Sequence, residues 1–242
     1  MANGFCLDDA LDLMAKAAGL DAMKSLLFEL REAYGVANLV YHAAHVRGHA
    51  QAHPILALSY EEGWVKRYLD ENYFSIDPVV QGGLRAFLPL DWATLDRRSC
   101  STRRLFREAD SYGVGRQGVT IPIHGPGGER ALFTVTCNLS DYEWEKARVQ
   151  LLREFHALAH FFHDRAVYLS GLRSDEPPRL SPRELQCIQL LAQGQKPKNI
   201  AYNLGISEAA VRLYTSSART KMRCSTLIQT IAEAASTGLI TC

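Results

Sequence analysis

The chain has 242 residues, 47% of them hydrophobic and 22% charged, and its 27 basic and 26 acidic side chains leave a net charge of +1. That length suits two ordinary domains, and the composition excludes a disordered, fibrous or strongly polyionic chain. No run of eighteen apolar residues offers a membrane span, and the acidic start MANGFCLDDALDL lacks a secretory signal, so a cytoplasmic protein without membrane contact is expected.

Asp8 to Tyr34 predicts an amphipathic helix with a break near Gly19. Leu11, Met14, Ala18, Leu26, Leu27 and Leu30 supply its apolar face, and Gly35 stops it. Val36 to Ala44 and Pro54 to Ser59 predict strands. Glu61 to Tyr73 returns to helical spacing, and Thr102 to Tyr112 predicts a further helix ending at Gly113. Val119 to Ile123 and Ala131 to Asn138 predict two strands joined by the hairpin turn His124-Gly125-Pro126-Gly127-Gly128. Tyr142 to Leu169 predicts one long helix. This order of helices and strands predicts an α+β fold, an α-β-α layered domain on an antiparallel sheet.

The stretch from Tyr60 to Trp92 is the richest in chemistry. Tyr60, Trp64 and Tyr68 recur every four residues, so they share a helical face. Asp77 precedes Pro78, which drives its backbone into an extended conformation and so fixes where the carboxylate points. The pattern fits an aromatic core stripe followed by a helix-capping Asp. It fits a polar ligand site equally, because a carboxylate buried among aromatic rings needs hydrogen-bond donors, which a ligand N–H supplies.

Residues 171–178, GLRSDEPP, break all periodicity and are expected to link a domain at 1–170 to one at 179–242. The second segment predicts four short helices. Ser181-Pro182-Arg183-Glu184 carries an N-cap, a Pro at the first helical position and a capping-box Glu. Gly194 ends that helix, and Pro197 to Leu204 predicts the next. Gly205 then supplies a left-handed turn and Ser207 caps a third helix, expected to bury Val211, Tyr214, Ala218 and Met222. Its other face carries Arg212, Ser216, Arg219 and Arg223. Helix, Gly turn and basic second helix make a helix-turn-helix, whose second helix suits the major groove. Residues 179–242 hold eight basic and three acidic side chains, a charge of +5, which leaves −4 for residues 1–178. The basic charge sits where phosphates would bind. A plain helical bundle with a solvated basic face fits the same pattern.

The six cysteines, Cys6, Cys100, Cys137, Cys187, Cys224 and Cys242, form no CxxC pair and are expected to be free thiols. His42, His45, His49 and His53 span a strand and a loop that scatters them, and His156, His160 and His163 lack a completing Cys, Asp or Glu. No metal site and no cofactor are expected from either set.

Leu180, Arg183-Glu184, Gly194, Ile200-Ala201, Leu204, Ile206-Ser207, Val211, Lys221 and Gly238-Leu239-Ile240 together resemble the DNA-binding domain of the LuxR family of transcriptional regulators. Ala210, Tyr214 and Ser217 depart from that family's usual Thr, His and Asn, and Gly194-Gln195-Lys196 from its Gly-Lys-Thr. The first domain is similar to the same family's autoinducer-binding domain through Tyr60, Trp64, Tyr68, Asp77-Pro78, Trp92 and Gly118-Val119-Thr120-Ile121-Pro122.

The resemblance implies an N-acyl homoserine lactone as effector. Trp64 would donate to the lactone carbonyl, Asp77 would accept the ligand amide N–H, and Tyr60 would donate to the acyl carbonyl. Thr134 would help hold polar groups, Trp92 would wall the lactone ring, and Tyr68 would line the acyl side with Val65, Leu69, Val79, Val80 and Phe106 as plausible walls. Arg212, Ser216 and Leu213 are expected at base edges, and Lys196, Lys198, Arg219, Lys221 and Arg223 at phosphates. A homodimer is expected, since two-fold symmetry matches a palindromic operator and the helix from Tyr142 carries a broad apolar stripe. RNA polymerase is a candidate further partner. Three other readings stand beside this one. A ligand-independent regulator of the same family is one. A phosphorylated response regulator would need an N-terminal receiver, where Asp8-Asp9 instead opens a helix. A lactone-processing enzyme would need an HxHxDH or Gly-x-Ser-x-Gly motif, and neither occurs.

Overall fold

The structure is a computed structural model that describes residues 6–46, 53–125, 128–172 and 179–241. Residues 173–178 of the expected linker, residues 126 and 127 of the expected hairpin turn, His49 and Cys242 lie outside the described residues. Residues 126–128 aside, the chain divides into two compact units, one up to residue 173 and one from residue 174.

The first unit opens with α1 (Leu7–Lys16) and α2 (Leu20–Tyr34), and Gly19 is the N-cap of α2. Gly35 closes α2 at φ 63°, in the left-handed region open to glycine. Strands β1 (Asn38–His45) and β2 (Ile55–Leu58) follow, then α3 (Glu62–Asp70) and a 3-10 turn at Tyr73–Ser75. Next come α4 (Pro78–Arg85), the two-residue strand β3 (Leu90–Asp91), a 3-10 turn at Trp92–Thr94 and α5 (Cys100–Ser111). The unit ends with β4 (Gln117–His124), β5 (Arg130–Cys137) and α6 (Asp141–Leu169).

The five strands form one antiparallel sheet in the order β2-β1-β5-β4-β3. Side chains alternate across a strand, so each face has its own set. Leu39, Tyr41, Ala43, Ile55, Ala57, Ile121, Phe133 and Val135 join the core shared with α1, α2 and α6. The opposite face carries Val40, His42, Leu56, Leu58, Leu132 and Thr134, which line a cavity together with residues of α3, α4 and α5. The expected α+β, α-β-α architecture is therefore observed.

Three local expectations differ. The helix expected to run to Tyr73 ends at Asp70, because Asn72 turns the chain at φ 50° into the 3-10 turn. The helix α4 was not expected, since Gly82-Gly83 weakens helix propensity at its centre. A side chain at residue 83 would lie 2.9 Å from Leu132 Cδ2, so that glycine lets α4 lie close on the sheet. The third difference is in the second unit.

That unit is all helical: α7 (Pro182–Ala192), α8 (Pro197–Leu204), α9 (Glu208–Lys221) and α10 (Leu227–Ser236). Ser181 and Glu184 make the expected capping box of α7. Gly205 turns the chain between α8 and α9 at φ 63°, and Ser207 caps α9. Along α9 the buried row is Val211, Thr215, Ala218 and Met222. Thr215 replaces the expected Tyr214, which is half-buried: position 215 completes the i, i+4, i+7, i+11 repeat, and its hydroxyl is satisfied by the Arg212 carbonyl at 3.0 Å.

Candidate ligand cavity and DNA-facing surface

The cavity of the first unit has a volume of about 100 Å³. The structure brings Tyr60, Trp64, Tyr68, Asp77, Val79, Trp92, Phe106 and Thr134 to its wall, along with Val65, Leu69 and Val80. They arrive from four directions. Helix α3 presents Trp64 and Tyr68, Asp77 stands at the start of α4, Trp92 in the turn after β3, and Thr134 on β5.

Asp77 is the N-cap of α4, and its Oδ1 accepts the Val79 amide at 2.8 Å. The Tyr68 hydroxyl donates to Oδ2 at 2.7 Å, a role beyond the acyl lining expected of it. Capping and cavity lining, which stood as alternatives in the sequence, are thus both true of Asp77. Burial raises its pKa, while the hydrogen bonds from Tyr68, Val79 and Val80 oppose the rise. A carboxylate offers about four acceptor positions, so Asp77 can take a further donor from the cavity. Trp64 Nε1 and the Tyr60 hydroxyl make no hydrogen bond among the described residues. Trp64 is 3% exposed, and burial pushes the Tyr60 phenol well above its ordinary pKa, so it stays a proton donor. The wall therefore includes two donor side chains and one carboxylate, with Tyr68, His42 and Thr134 as the other polar members of a mostly apolar lining.

Trp92 is held from two sides. Its indole N–H donates to Thr120 Oγ1 at 3.0 Å, and Thr120 shares a 2.9 Å hydrogen bond with Thr134. Its ring lies on the backbone of Gly118, where an added Cβ would stand 2.6 Å from Trp92 Cδ2. That close approach gives position 118 its need for glycine. Below the cavity, Glu108 on α5 binds Arg67 on α3 at 2.8 Å and accepts the Tyr73 hydroxyl at 2.8 Å. The hydrogen bond from Arg67 outweighs burial and holds the Glu108 carboxyl down at about 2.

Val40, His42, Leu56, Leu58, Phe74, Leu105, Ala109, Val114 and Leu132 also line the cavity and were not anticipated as site residues. The strand members could be read only with the register, which pairs Val40 with Thr134 and His42 with Leu132. Among the described residues no group of three or more His, Cys, Asp or Glu is placed to hold a metal, and no helix is long and apolar enough to cross a membrane. The five described cysteines are free thiols.

In the second unit, Arg212, Leu213, Ser216 and Arg219 are exposed on α9, and Lys196 and Lys198 are exposed at the start of α8. Arg223 is exposed just beyond α9 at φ 54°. Lys221, expected at a phosphate, instead has an internal partner: its ammonium lies 2.8 Å from Glu184 Oε2, and Ser217 donates to Glu184 Oε1 at 2.7 Å. Glu184 is only 4% exposed. Burial pulls its pKa up, but the hydrogen bonds from Lys221, Ser217 and Ser181 win and hold it at about 2. A buried carboxylate requires such a counterion, so Lys221 serves the fold first.

Residues 19–166 match the model of the autoinducer binding domain, and residues 178–234 match that of bacterial regulatory proteins of the luxR family. The chain belongs to the autoinducer-binding LuxR family. This LuxR-family chain is 49% identical over 180 residues to the transcriptional activator protein RaiR of Rhizobium etli, covering 74% of each. It is 29% identical over 185 residues to the quorum-sensing regulator RhlR of Pseudomonas aeruginosa, covering 75% of this chain and 74% of that one. The solved structure of Escherichia coli SdiA has the same fold, with a TM-score of 0.67 at 20% identity over 96% of this chain and 97% of that one. The LuxR-family chain is accordingly a quorum-sensing type of transcriptional regulator, a DNA-binding protein with a small-molecule effector and not an enzyme.

Proposed function

We propose that an N-acyl homoserine lactone fills the cavity of the first unit and controls promoter binding by a homodimer through α8 and α9. One observation carries the reading: Trp64 and Tyr60, each with a donor free of hydrogen bonds among the described residues, and Asp77, with spare acceptor capacity, all line one mostly apolar cavity. A lactone carbonyl, an acyl carbonyl and an amide N–H are their complements, in the order given, with hydrocarbon to follow. CepR2 of Burkholderia cenocepacia, whose structure carries the description N-acylhomoserine lactone dependent, shares the fold with a TM-score of 0.52. A cavity of about 100 Å³ is smaller than the roughly 300–1,000 Å³ of pockets for drug-sized ligands. Ligand entry therefore moves lining side chains, and Leu69, 56% exposed, stands where such movement is cheapest. A ligand that becomes part of the core stabilises the folded state by mass action.

Dimerisation is supported by α6, which leaves Tyr142, Val149, Phe161 and Tyr168 exposed. At the DNA, Arg212, Leu213 and Ser216 read base edges, and Lys196, Lys198, Arg219 and Arg223 meet phosphates. The test is expression with and without a panel of acyl homoserine lactones, followed by mass spectrometry of the purified protein. Retention of one lactone with a gain in soluble yield is expected. Equal solubility throughout with no lactone retained would overturn the ligand reading and favour a ligand-independent regulator.

A further inference from the structure

His42 is the one polar residue in a hydrocarbon part of the cavity wall. On β1 it lies between Leu56 of β2 and Leu132 of β5 in the sheet register, and all three line the cavity. Thr134 lies opposite Val40, two residues back along β1, which places His42 about 7 Å further along the sheet at ~3.4 Å per residue. An acyl chain leaving the Thr134 end along the sheet passes it. The ring is 3% exposed. Its Nε2 lies 2.6 Å from His53 Nδ1, and its Nδ1 makes no hydrogen bond among the described residues. Phe74 stacks on His53 with ring centres 4.6 Å apart and meets Tyr68 edge-on at 4.9 Å, so an aromatic wall runs from His42 back to the donor of Asp77.

Burial, with the neighbouring His53, lowers the His42 pKa to about 4, so the ring is neutral near pH 7. A neutral imidazole has one N–H and one bare nitrogen. The bond to His53 sets which is which. If His53 Nδ1–H donates to His42 Nε2, then His42 Nδ1 carries its proton and donates. If His42 Nε2–H donates to His53, then His42 Nδ1 accepts. From this geometry we infer that His42 is a specificity-determining residue that selects an acyl chain bearing an oxygen substituent over a plain hydrocarbon chain. A keto oxygen takes the donor tautomer and a hydroxyl takes the acceptor tautomer. A plain chain leaves Nδ1 without a partner, which disfavours it.

This inference rests on the lactone reading, and the experiment separates the two. Affinities are measured for acyl homoserine lactones of one chain length that differ only in lacking a substituent or carrying a hydroxyl or keto oxygen at successive positions along the acyl chain. Wild type is expected to favour an oxygenated chain by about tenfold, the scale of one buried hydrogen bond. His42→Leu is expected to lose that preference and bind the plain chain at least as well. In the wild-type protein, histidine ¹⁵N shifts should place the His42 proton on Nδ1 with the keto ligand and on Nε2 with the hydroxyl ligand. That readout does not depend on the variant folding. Equal wild-type affinity for plain and oxygenated chains would overturn the inference alone. So would a uniform loss of affinity in His42→Leu with His42 nitrogen shifts that ignore the ligand. No binding of any lactone would overturn the lactone reading and this inference with it.

Discussion

Replacing Asp77 by Asn separates the carboxylate's role in the fold from its role at the ligand. In the free protein Asp77 Oδ1 accepts the Val79 amide at 2.8 Å and Oδ2 the Tyr68 hydroxyl at 2.7 Å. An Asn can keep the cap through its oxygen, and the Tyr68 hydroxyl can rotate to accept from the new amide. Burial raises the Asp77 pKa, so ionisation there opposes folding; this contribution is fully present below the ordinary carboxylate pKa and is lost as pH rises from there through the raised pKa of the folded state. Asp77→Asn removes that cost, and the ligand-free melting temperature near pH 7 should be unchanged or higher. Binding should behave in the opposite way. The ligand N–H would face an amide N–H in place of a carboxylate, and a hydrogen bond to a charged group contributes about 1.5–3 kcal/mol, so the loss is about tenfold to a hundredfold. The sign with pH also differs. Wild-type affinity should fall as acid protonates Asp77, and the variant's affinity should not respond to Asp77's titration. Calorimetric titration of both proteins with the retained lactone over a pH series checks this. Equal affinity of variant and wild type, or the same pH slope in both, would refute the assignment of Asp77 to the ligand amide.

Gly118→Ala forces Trp92 off the backbone it covers, since the new Cβ starts 2.6 Å from the indole. Overpacking of this kind costs about 1–3 kcal/mol, and a lower melting temperature with reduced lactone retention is expected. Glu184→Gln addresses the second unit. With its pKa held at about 2 against an ordinary 4.5, Glu184 adds stability above pH 4.5 that is lost as pH falls toward 2, an effect of up to about 3 kcal/mol. The Gln variant should melt lower at pH 7 and lose the acid-dependent part of that stability, as followed by circular dichroism. Lys196→Ala should weaken DNA binding evenly across sequences and lower the slope of log affinity against log salt by about one, whereas a loss confined to one operator would reassign it. Arg212→Ala should cost about 1–3 kcal/mol at matched operators and little elsewhere, as measured by competition binding.

The second unit was largely legible from its residues because its signals are local. Caps at Ser181 and Ser207, the turn glycine Gly205 and the helical repeat each sit within a few residues of what they specify. One exception, Lys221, is informative. Its partner Glu184 is thirty-seven positions away, and no local pattern announces that a basic residue on a basic face is already committed. The first unit shows the same division. Periodicity revealed the sheet and most helices, but α4 was hidden by two glycines whose close approaches, Gly82 to Leu90 and Gly83 to Leu132, exist only in three dimensions. Of the aromatic half of the cavity wall, Trp64 and Tyr68 share α3 as their spacing predicts, whereas Tyr60, expected on the same helical face, lies before that helix begins. On the strand side only Thr134 was named, through the family resemblance; Val40, His42, Leu56, Leu58 and Leu132 were not, because they join it through cross-strand register rather than sequence distance.

The Glu184–Ser217–Lys221 contact also limits how this regulator can be re-engineered. Arg212, Leu213, Ser216 and Arg219 are exposed on α9, so they can be exchanged for a relative's residues with little effect on the scaffold. Ser217 and Lys221 lie on the same helix and point back to α7. A foreign α9 that lacks a donor at 217 or an ammonium at 221 leaves a carboxylate that is 4% exposed short of its partners, and loss of the counterion costs on the order of 3–5 kcal/mol. The outward side chains of α9 are therefore free to change, whereas a full helix swap must keep a donor at 217 and an ammonium at 221.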